Sequence, residues 1–88
     1  MAFKGLSSSQ IRAARALLRW SAQDLARASS LGLNTIKRAE LAEDKTSLTA
    51  ANSLAVRRAL EDAGVEIIDE NGGGPGVRLR KAHQLRKK

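Results

Sequence analysis

Polar and basic residues cluster near the middle of the chain, at Asn34, Thr35, Lys37 and Arg38. An arginine guanidinium can donate two hydrogen bonds to O6 and N7 of guanine, and an asparagine amide can pair in the same way with adenine. Thr35 could contact a thymine methyl group or a phosphate, and Lys37 is suited to phosphate. These residue types favour contact with nucleic acid, although each would also fit an ordinary solvated helix face.

Further candidates for the same interface lie on either side of this cluster. Leu33 could contact thymine methyl groups, or it could close a hydrophobic seam between helices. Gln23 lies near the start of the preceding helix, where backbone amides could also bind phosphate. Lys45 lies in a polar, charged segment that is expected to be a loop. Gln23 and Lys45 complete the set of candidate DNA contacts.

The elements that must position these residues are two short helices joined by a tight turn, within residues 21–40. Ser21 and Asp24 have the spacing of a capping box, which opens the first of the two helices. We expect helix, turn and helix at 22–28, 29–32 and 33–41. This layout is typical of a helix-turn-helix, in which the second helix enters the major groove of DNA.

The apolar residues of this segment are suited to such a motif. Ala26 is small enough for a close approach of the two helices, Leu25 and Ile36 can fill the seam, and Ala39 continues the inward face. A helical hairpin in any small α-helical domain would show the same spacing, so the pattern is not specific by itself.

The flanking segments predict two more helices and a hairpin. Ser7 and Gln10 form a capping box before a helix at 8–18. Thr49 can cap a helix at 50–63, and Gly64 suits the left-handed position at its C-terminus. The inward residues of these helices are expected to be Ile11, Ala14, Leu17 and Leu18, then Leu54, Ala55 and Ala59. Arg12 and Arg19 are expected to face solvent. Alternating apolar residues around a glycine-rich connector, 70–76, predict a β-hairpin with Val65, Ile67, Val77 and Leu79 on one face.

The predicted fold is therefore mainly α, with four helices and a C-terminal β-hairpin. We divide the chain into a helical part, 1–64, a hairpin of the same domain, 65–80, and a basic tail, 81–88. Its 88 residues, net charge of +7 and pI near 10.9 favour one small domain with a polyanionic partner. There is no cysteine and no long apolar run, which favours a soluble cytoplasmic protein without a membrane association.

Most of the chain, from Leu6 to Arg80, resembles the XRE/Cro-type family of bacterial and phage repressors, in a compact bacterial form. The matching residues are Ile11-Arg12-Ala13-Ala14-Arg15, Leu18, Trp20, Ser21, Asp24-Leu25-Ala26, Thr35-Ile36-Lys37-Arg38, Glu40, Arg57-Arg58-Ala59-Leu60-Glu61, Gly64-Val65 and 69–80. The resemblance implies a four-helix, phage-repressor-like helix-turn-helix domain that binds double-stranded DNA in the bacterial nucleoid. It also implies a transcriptional regulator that occupies an operator, most simply as a repressor.

The resemblance implies one structural pair, in which Glu40 at the end of the recognition helix binds Arg15 of the first helix and fixes that helix's angle. The chain departs from the family pattern at four positions: Ala22, Ser30, Gly32 and Ala42. Ser30 replaces the usual glycine of the turn, so we expect it to adopt a left-handed conformation without glycine's freedom. Ala22 lacks the side chain that often binds a phosphate.

No catalytic, metal or cofactor site is expected. The glycines at 72–76 lead into a strand and not a helix, which argues against a phosphate-binding loop, and His83 has no neighbouring ligands. The exposed strand edges of the hairpin could pair two copies into a homodimer. The alternatives are an antitoxin-type protein that binds a toxin and represses its own operon, and a sequence-nonspecific nucleic-acid binder.

Overall fold

The structure is a computed structural model that describes residues 6–42 and 48–80, and within these ranges it is mainly α-helical with one small antiparallel hairpin. The elements are α1 (Ser8–Leu18), α2 (Ala22–Ser29), α3 (Leu33–Leu41), α4 (Ala50–Asp62), β1 (Val65–Ile68) and β2 (Gly76–Leu79). The coarse fold class predicted from the sequence is confirmed. Lys45 and the basic tail, 81–88, lie outside the described residues.

The predicted starts of all four helices are confirmed, and three of them, those of α1, α2 and α4, follow a side chain that caps the helix. Ser7 and Gln10 exchange side-chain and backbone hydrogen bonds at the start of α1, and Ser21 and Asp24 do the same for α2. Thr49 accepts a hydrogen bond from the third residue of α4. The ends differ slightly from expectation, since α2 continues to Ser29 and α4 stops at Asp62.

The core lies between the helices and the inner face of the hairpin. Its fully buried large side chains are Ile11, Leu25, Ile36, Val56, Leu60 and Val65. Leu6, from the segment before α1, is also buried, and Trp20 packs against the edge of the core as expected. Because α2 packs on both α3 and α4, and α1 packs on α3 and both strands, one continuous core holds every element.

Two predicted inward faces are corrected. Of the four predicted inward residues of α1, Ile11 and Ala14 are buried and Leu18 packs at the margin of the core, whereas Leu17 is 39% exposed. In α4 the buried residues are Ser53, Val56, Ala59 and Leu60, so of the predicted inward residues Leu54, Ala55 and Ala59 only Ala59 is buried. Apolar residues occur on more than one side of this helix, and contacts with α2 and β1 decide which side is buried.

The hairpin pairs Val65 with Leu79 and Ile67 with Val77, so the four predicted apolar residues share one face. That face contacts the helices, with Val65 and Ile67 buried and Leu79 remaining 40% exposed. Gly64 has a φ of 112°, as its predicted position between helix and strand requires.

Side chains from two helices hold the hairpin in place. Gln10 of α1 donates through its amide nitrogen to the carbonyl oxygens of Ile68 and Gly76, both at 3.1 Å. Arg57 of α4 donates to both carboxylate oxygens of Asp69, at 3.0 and 3.2 Å, and to Glu61. Hydrogen bonding to Asp69 raises the pKa of Arg57. The hairpin is thereby fixed to the helices at its loop end.

Candidate nucleic-acid interface

Helix α3 buries one side and exposes the other. Ile36 and Ala39 are fully buried, whereas Asn34, Lys37 and Arg38 are exposed. This follows from the helical period of 3.6 residues, which places residues 36 and 39 on one side of the helix and residues 34, 37 and 38 on the other. Asn34, Lys37 and Arg38 are called the exposed α3 face below.

The exposed α3 face has no internal partners. Within residues 6–42 and 48–80, the side chains of Asn34, Lys37 and Arg38 make no hydrogen bond or ion pair. By contrast, Arg15, Arg57 and Arg78 each bind a carboxylate, whereas Arg19, Arg27 and Arg58 also make no side-chain hydrogen bond within the described residues. The donors and acceptors of this face are therefore free to bind a ligand.

The other predicted contact residues occupy less uniform positions. Thr35 and Leu33 are half-buried, and Leu33 packs against the core, as its alternative role in the seam requires. Gln23 is exposed in the first turn of α2. The structure thus brings Asn34, Lys37 and Arg38 together and leaves Leu33 mainly with a packing role.

A left-handed residue sets the turn between α2 and α3. Ser30 has φ 62° and ψ 31°, and its N–H and that of Leu31 bond back to carbonyl oxygens of α2. The expected left-handed geometry is present without glycine. Gly32 then begins α3 without a side-chain cap, as its type dictates, and Ala42 ends α3 in an extended conformation that needs no glycine.

The start of α2 carries local negative charge that the capping box holds in place. The Ser21 N–H donates to Asp24 at 2.9 Å, and this hydrogen bond lowers the pKa of Asp24. The Asp24 carboxylate therefore accepts the hydrogen bond of the Ser21 N–H. The backbone N–H groups of Ala22 and Gln23, in the first turn of α2, have no capping partner within the described residues.

Three side chains of α1 bind the C-terminal end of α3, and they are called the α1–α3 clamp below: Ser8, Arg12 and Arg15. The Arg15 guanidinium donates to both carboxylate oxygens of Glu40, at 2.7 and 2.8 Å. This pair, implied by the family resemblance, is present in the structure. Hydrogen bonding to Glu40 raises the pKa of Arg15, against the opposing effect of burial.

The remaining contacts of the clamp go to the backbone. Ser8, fully buried, donates from its hydroxyl to the Ala39 carbonyl oxygen at 2.6 Å. Arg12, expected to face solvent only, donates to the Glu40 carbonyl oxygen. Arg15 also reaches the Trp20 carbonyl oxygen at 2.8 Å, next to the start of α2. The contacts to Ala39 and Glu40 were not foreseen from the sequence, because the partners are 31 and 28 positions apart.

Arg19 is another feature that sequence reasoning missed. It ends α1 with a φ of 58°, a conformation in which glycine is usually found. Its exposed side chain makes no hydrogen bond within the described chain. No local signal marked this position, since neither glycine nor asparagine occurs there.

The sequence matches no family model, and no curated protein matches it. Within the described ranges, no group of three acidic or histidine side chains could hold a metal ion, and no helix has the length and apolar content needed to cross a membrane.

Proposed function

We propose that α2 and α3 form a helix-turn-helix and that the protein binds double-stranded DNA in a sequence-specific manner, as a transcriptional regulator that occupies an operator. The observation that carries this proposal is the exposed α3 face, on which Asn34, Lys37 and Arg38 have no partner within the described chain. Amide, ammonium and guanidinium groups on one helix face match the acceptors of base edges and phosphates.

The geometry around α3 supports the proposal. Leu25 and Ile36 are fully buried between α2 and α3, and the small Ala26 lies beside them, as close packing of a helix-turn-helix requires. The uncapped amides of the first turn of α2, with Gln23 beside them, form a suitable phosphate contact. In this proposal the clamp holds α3 at the angle that the groove requires, and no catalytic residue, metal or cofactor takes part.

Selection of bound sites from a random DNA pool tests the proposal most directly. A defined motif is expected, and its symmetry and half-site spacing would show whether two copies bind together. A pool that yields no enriched motif, with equal competition by unrelated DNA and RNA, would instead favour a sequence-nonspecific binder.

Substitution of Arg38 then separates base contacts from phosphate contacts. Arg38→Ala is expected to lose roughly 1–3 kcal/mol of binding free energy, mainly on the selected site, whereas Lys37→Ala weakens selected and random duplexes alike. Arg58→Ala is the matched control, because Arg58 is also exposed and makes no hydrogen bond or ion pair within the described residues, but lies on α4. Equal losses for Arg38→Ala and Arg58→Ala would contradict the role of α3.

A further inference from the structure

The outer edge of β2 is the most open part of the sheet. All of β1 is buried or half-buried, whereas Arg78 and Leu79 of β2 are exposed. Leu79 is 40% exposed even though its cross-strand neighbour Val65 is fully buried. The helices therefore leave Arg78 and Leu79, at the C-terminal end of β2, more accessible than any residue of β1.

Two residues of this edge, Val77 and Leu79, turn their backbone groups away from β1. The Arg80 N–H donates to the Gly64 carbonyl oxygen at 2.9 Å, which marks Gly64 and Arg80 as a hydrogen-bonded pair. Because hydrogen-bonded and non-hydrogen-bonded pairs alternate in an antiparallel ladder, the N–H and C=O groups of Val77 and Leu79 point away from β1. These groups make no hydrogen bond within the described residues.

Side chains along the edge are basic on one face. Arg78 donates through Nε and Nη2 to Glu66, at 2.9 and 3.3 Å, and Arg80 donates to the Glu61 carbonyl oxygen at 2.6 Å. Each guanidinium carries five N–H donors, so both keep donors for another acceptor. Glu66 has a lowered pKa because Arg78 binds it, and Arg80 adds to this effect.

A second copy of the same strand fits this edge poorly. Alignment of Val77 with Leu79 of the second copy places the two Arg78 side chains opposite each other, and alignment of Leu79 with itself places Arg78 opposite Arg80. Like charges in directly opposite positions destabilise a strand pair. Alignment of Val77 with itself avoids this, but Leu79 then faces Pro75, which has no N–H to donate.

We propose that the outer edge of β2 binds an extended segment of another protein, added as a third strand, with acidic residues opposite Arg78 and Arg80. Apolar residues at the intervening positions of that segment would cover Leu79 and Val77. Backbone hydrogen bonds to Val77 and Leu79 hold the segment, and the alternation of acidic and apolar residues selects it. The proposal does not depend on DNA binding.

Synthetic peptides test this edge without DNA. The probe is a fluorescent peptide of sequence TVEVEVT, compared with TVKVKVT and with TVEPEVT, in which proline interrupts the strand. The acidic peptide is expected to bind about tenfold more tightly than either control, because only it supplies both the charges and the backbone groups. Equal binding of TVEPEVT would show that charge alone acts, which would overturn the proposal.

Variants of the edge complete the test. Leu79→Pro removes an outward N–H without breaking the ladder to β1, and Arg78→Gln removes a charge. Each is expected to weaken TVEVEVT binding about tenfold. Arg27→Gln is expected to leave it unchanged, since Arg27 is exposed on α2 and makes no hydrogen bond or ion pair within residues 6–42 and 48–80. If Leu79→Pro does not fold, as checked by circular dichroism, Arg78→Gln still decides, since its side chain is exposed.

Two other outcomes would assign the edge to a different occupant. A dimer in sedimentation that Leu79→Pro converts to a monomer would show that the edge binds a second copy. Displacement of TVEVEVT by duplex DNA, with the same loss in Arg78→Gln, would show a nucleic-acid surface. Either result would overturn the proposal, and neither would bear on base recognition by α3.

Discussion

The two ends of α3 use their polar groups in opposite ways. At the C-terminal end, the Glu40 carboxylate and the last carbonyl groups accept hydrogen bonds from the α1–α3 clamp. At the N-terminal end, Gly32 supplies no cap, and Asn34 has no partner within the described chain. One end of α3 is therefore fixed to α1, whereas the other end lacks such contacts within the described residues, as the proposed DNA contact requires.

Glu40→Ala breaks the fixed end and has the largest expected effect. Arg15 and Glu40 have side-chain exposures of only 23% and 10%, so removal of the carboxylate leaves a half-buried guanidinium without its ion-pair partner. We expect a loss of about 2 kcal/mol in the free energy of unfolding. Affinity for the selected DNA site should fall as well, measured on the folded protein after correction for the unfolded fraction. Urea titration and duplex binding together check this prediction.

The matched control for Glu40→Ala is Glu66→Ala. Glu66 also makes a two-point contact with an arginine, but both partners are largely exposed. Surface pairs contribute little, so a change within about 0.5 kcal/mol is expected. A melting curve unchanged by Glu40→Ala, or equal losses of stability in the two variants, would contradict the role of the α1–α3 clamp in fixing α3.

Gln10→Ala separates stability from the orientation of α3. The side-chain amide of Gln10 forms hydrogen bonds with Ser7, Ile68 and Gly76, none of which belongs to α3. We expect a loss of about 1–2 kcal/mol in unfolding free energy, because a nearly buried side chain leaves its partners unsatisfied. DNA affinity of the folded fraction should stay unchanged, in contrast to Glu40→Ala.

Gln23→Ala controls for the loss of a glutamine side chain as such, since Gln23 is exposed on α2 and makes no hydrogen bond within the described residues. It should leave the urea midpoint unchanged. If Gln10→Ala lowers DNA affinity as much as Glu40→Ala does, any weakening of α1 disturbs α3. That result would contradict the specific role of the α1–α3 clamp at the C-terminal end of α3.

Local patterns in the sequence predicted the elements, while contacts between distant residues escaped prediction. The capping box of Ser7 and Gln10 and the alternation around Val65 and Val77 depend on neighbours along the chain, and both predictions are confirmed. The second role of Gln10 links residues 58 and 66 positions apart, and no local signal encodes it. The inward face of α4 was mispredicted for the same reason.

The candidate site shows the same limit. Periodicity placed Asn34, Thr35, Lys37 and Arg38 outward and Ile36 inward, and the structure agrees for all of them except Thr35, which is half-buried. The sequence left two roles open for Leu33, and the choice between them depends on how the core closes around the start of α3. The backbone contacts of the clamp depend on the angle between α1 and α3, which local spacing does not determine.

Ser30→Gly acts on the other end of α3 and has the smallest expected effect. Ser30 holds a φ of 62°, which glycine adopts without steric cost, although glycine also increases the entropy of the unfolded chain. The two effects oppose each other, and we expect the relief of steric strain to exceed the entropic cost. The expected net result is a gain of about 0.5 kcal/mol in unfolding free energy. Ser30→Ala is the matched control, because it removes the hydroxyl but keeps the strain. A gain in glycine with none in alanine would show that the turn before α3 stores backbone strain, and equal shifts in both variants would contradict that.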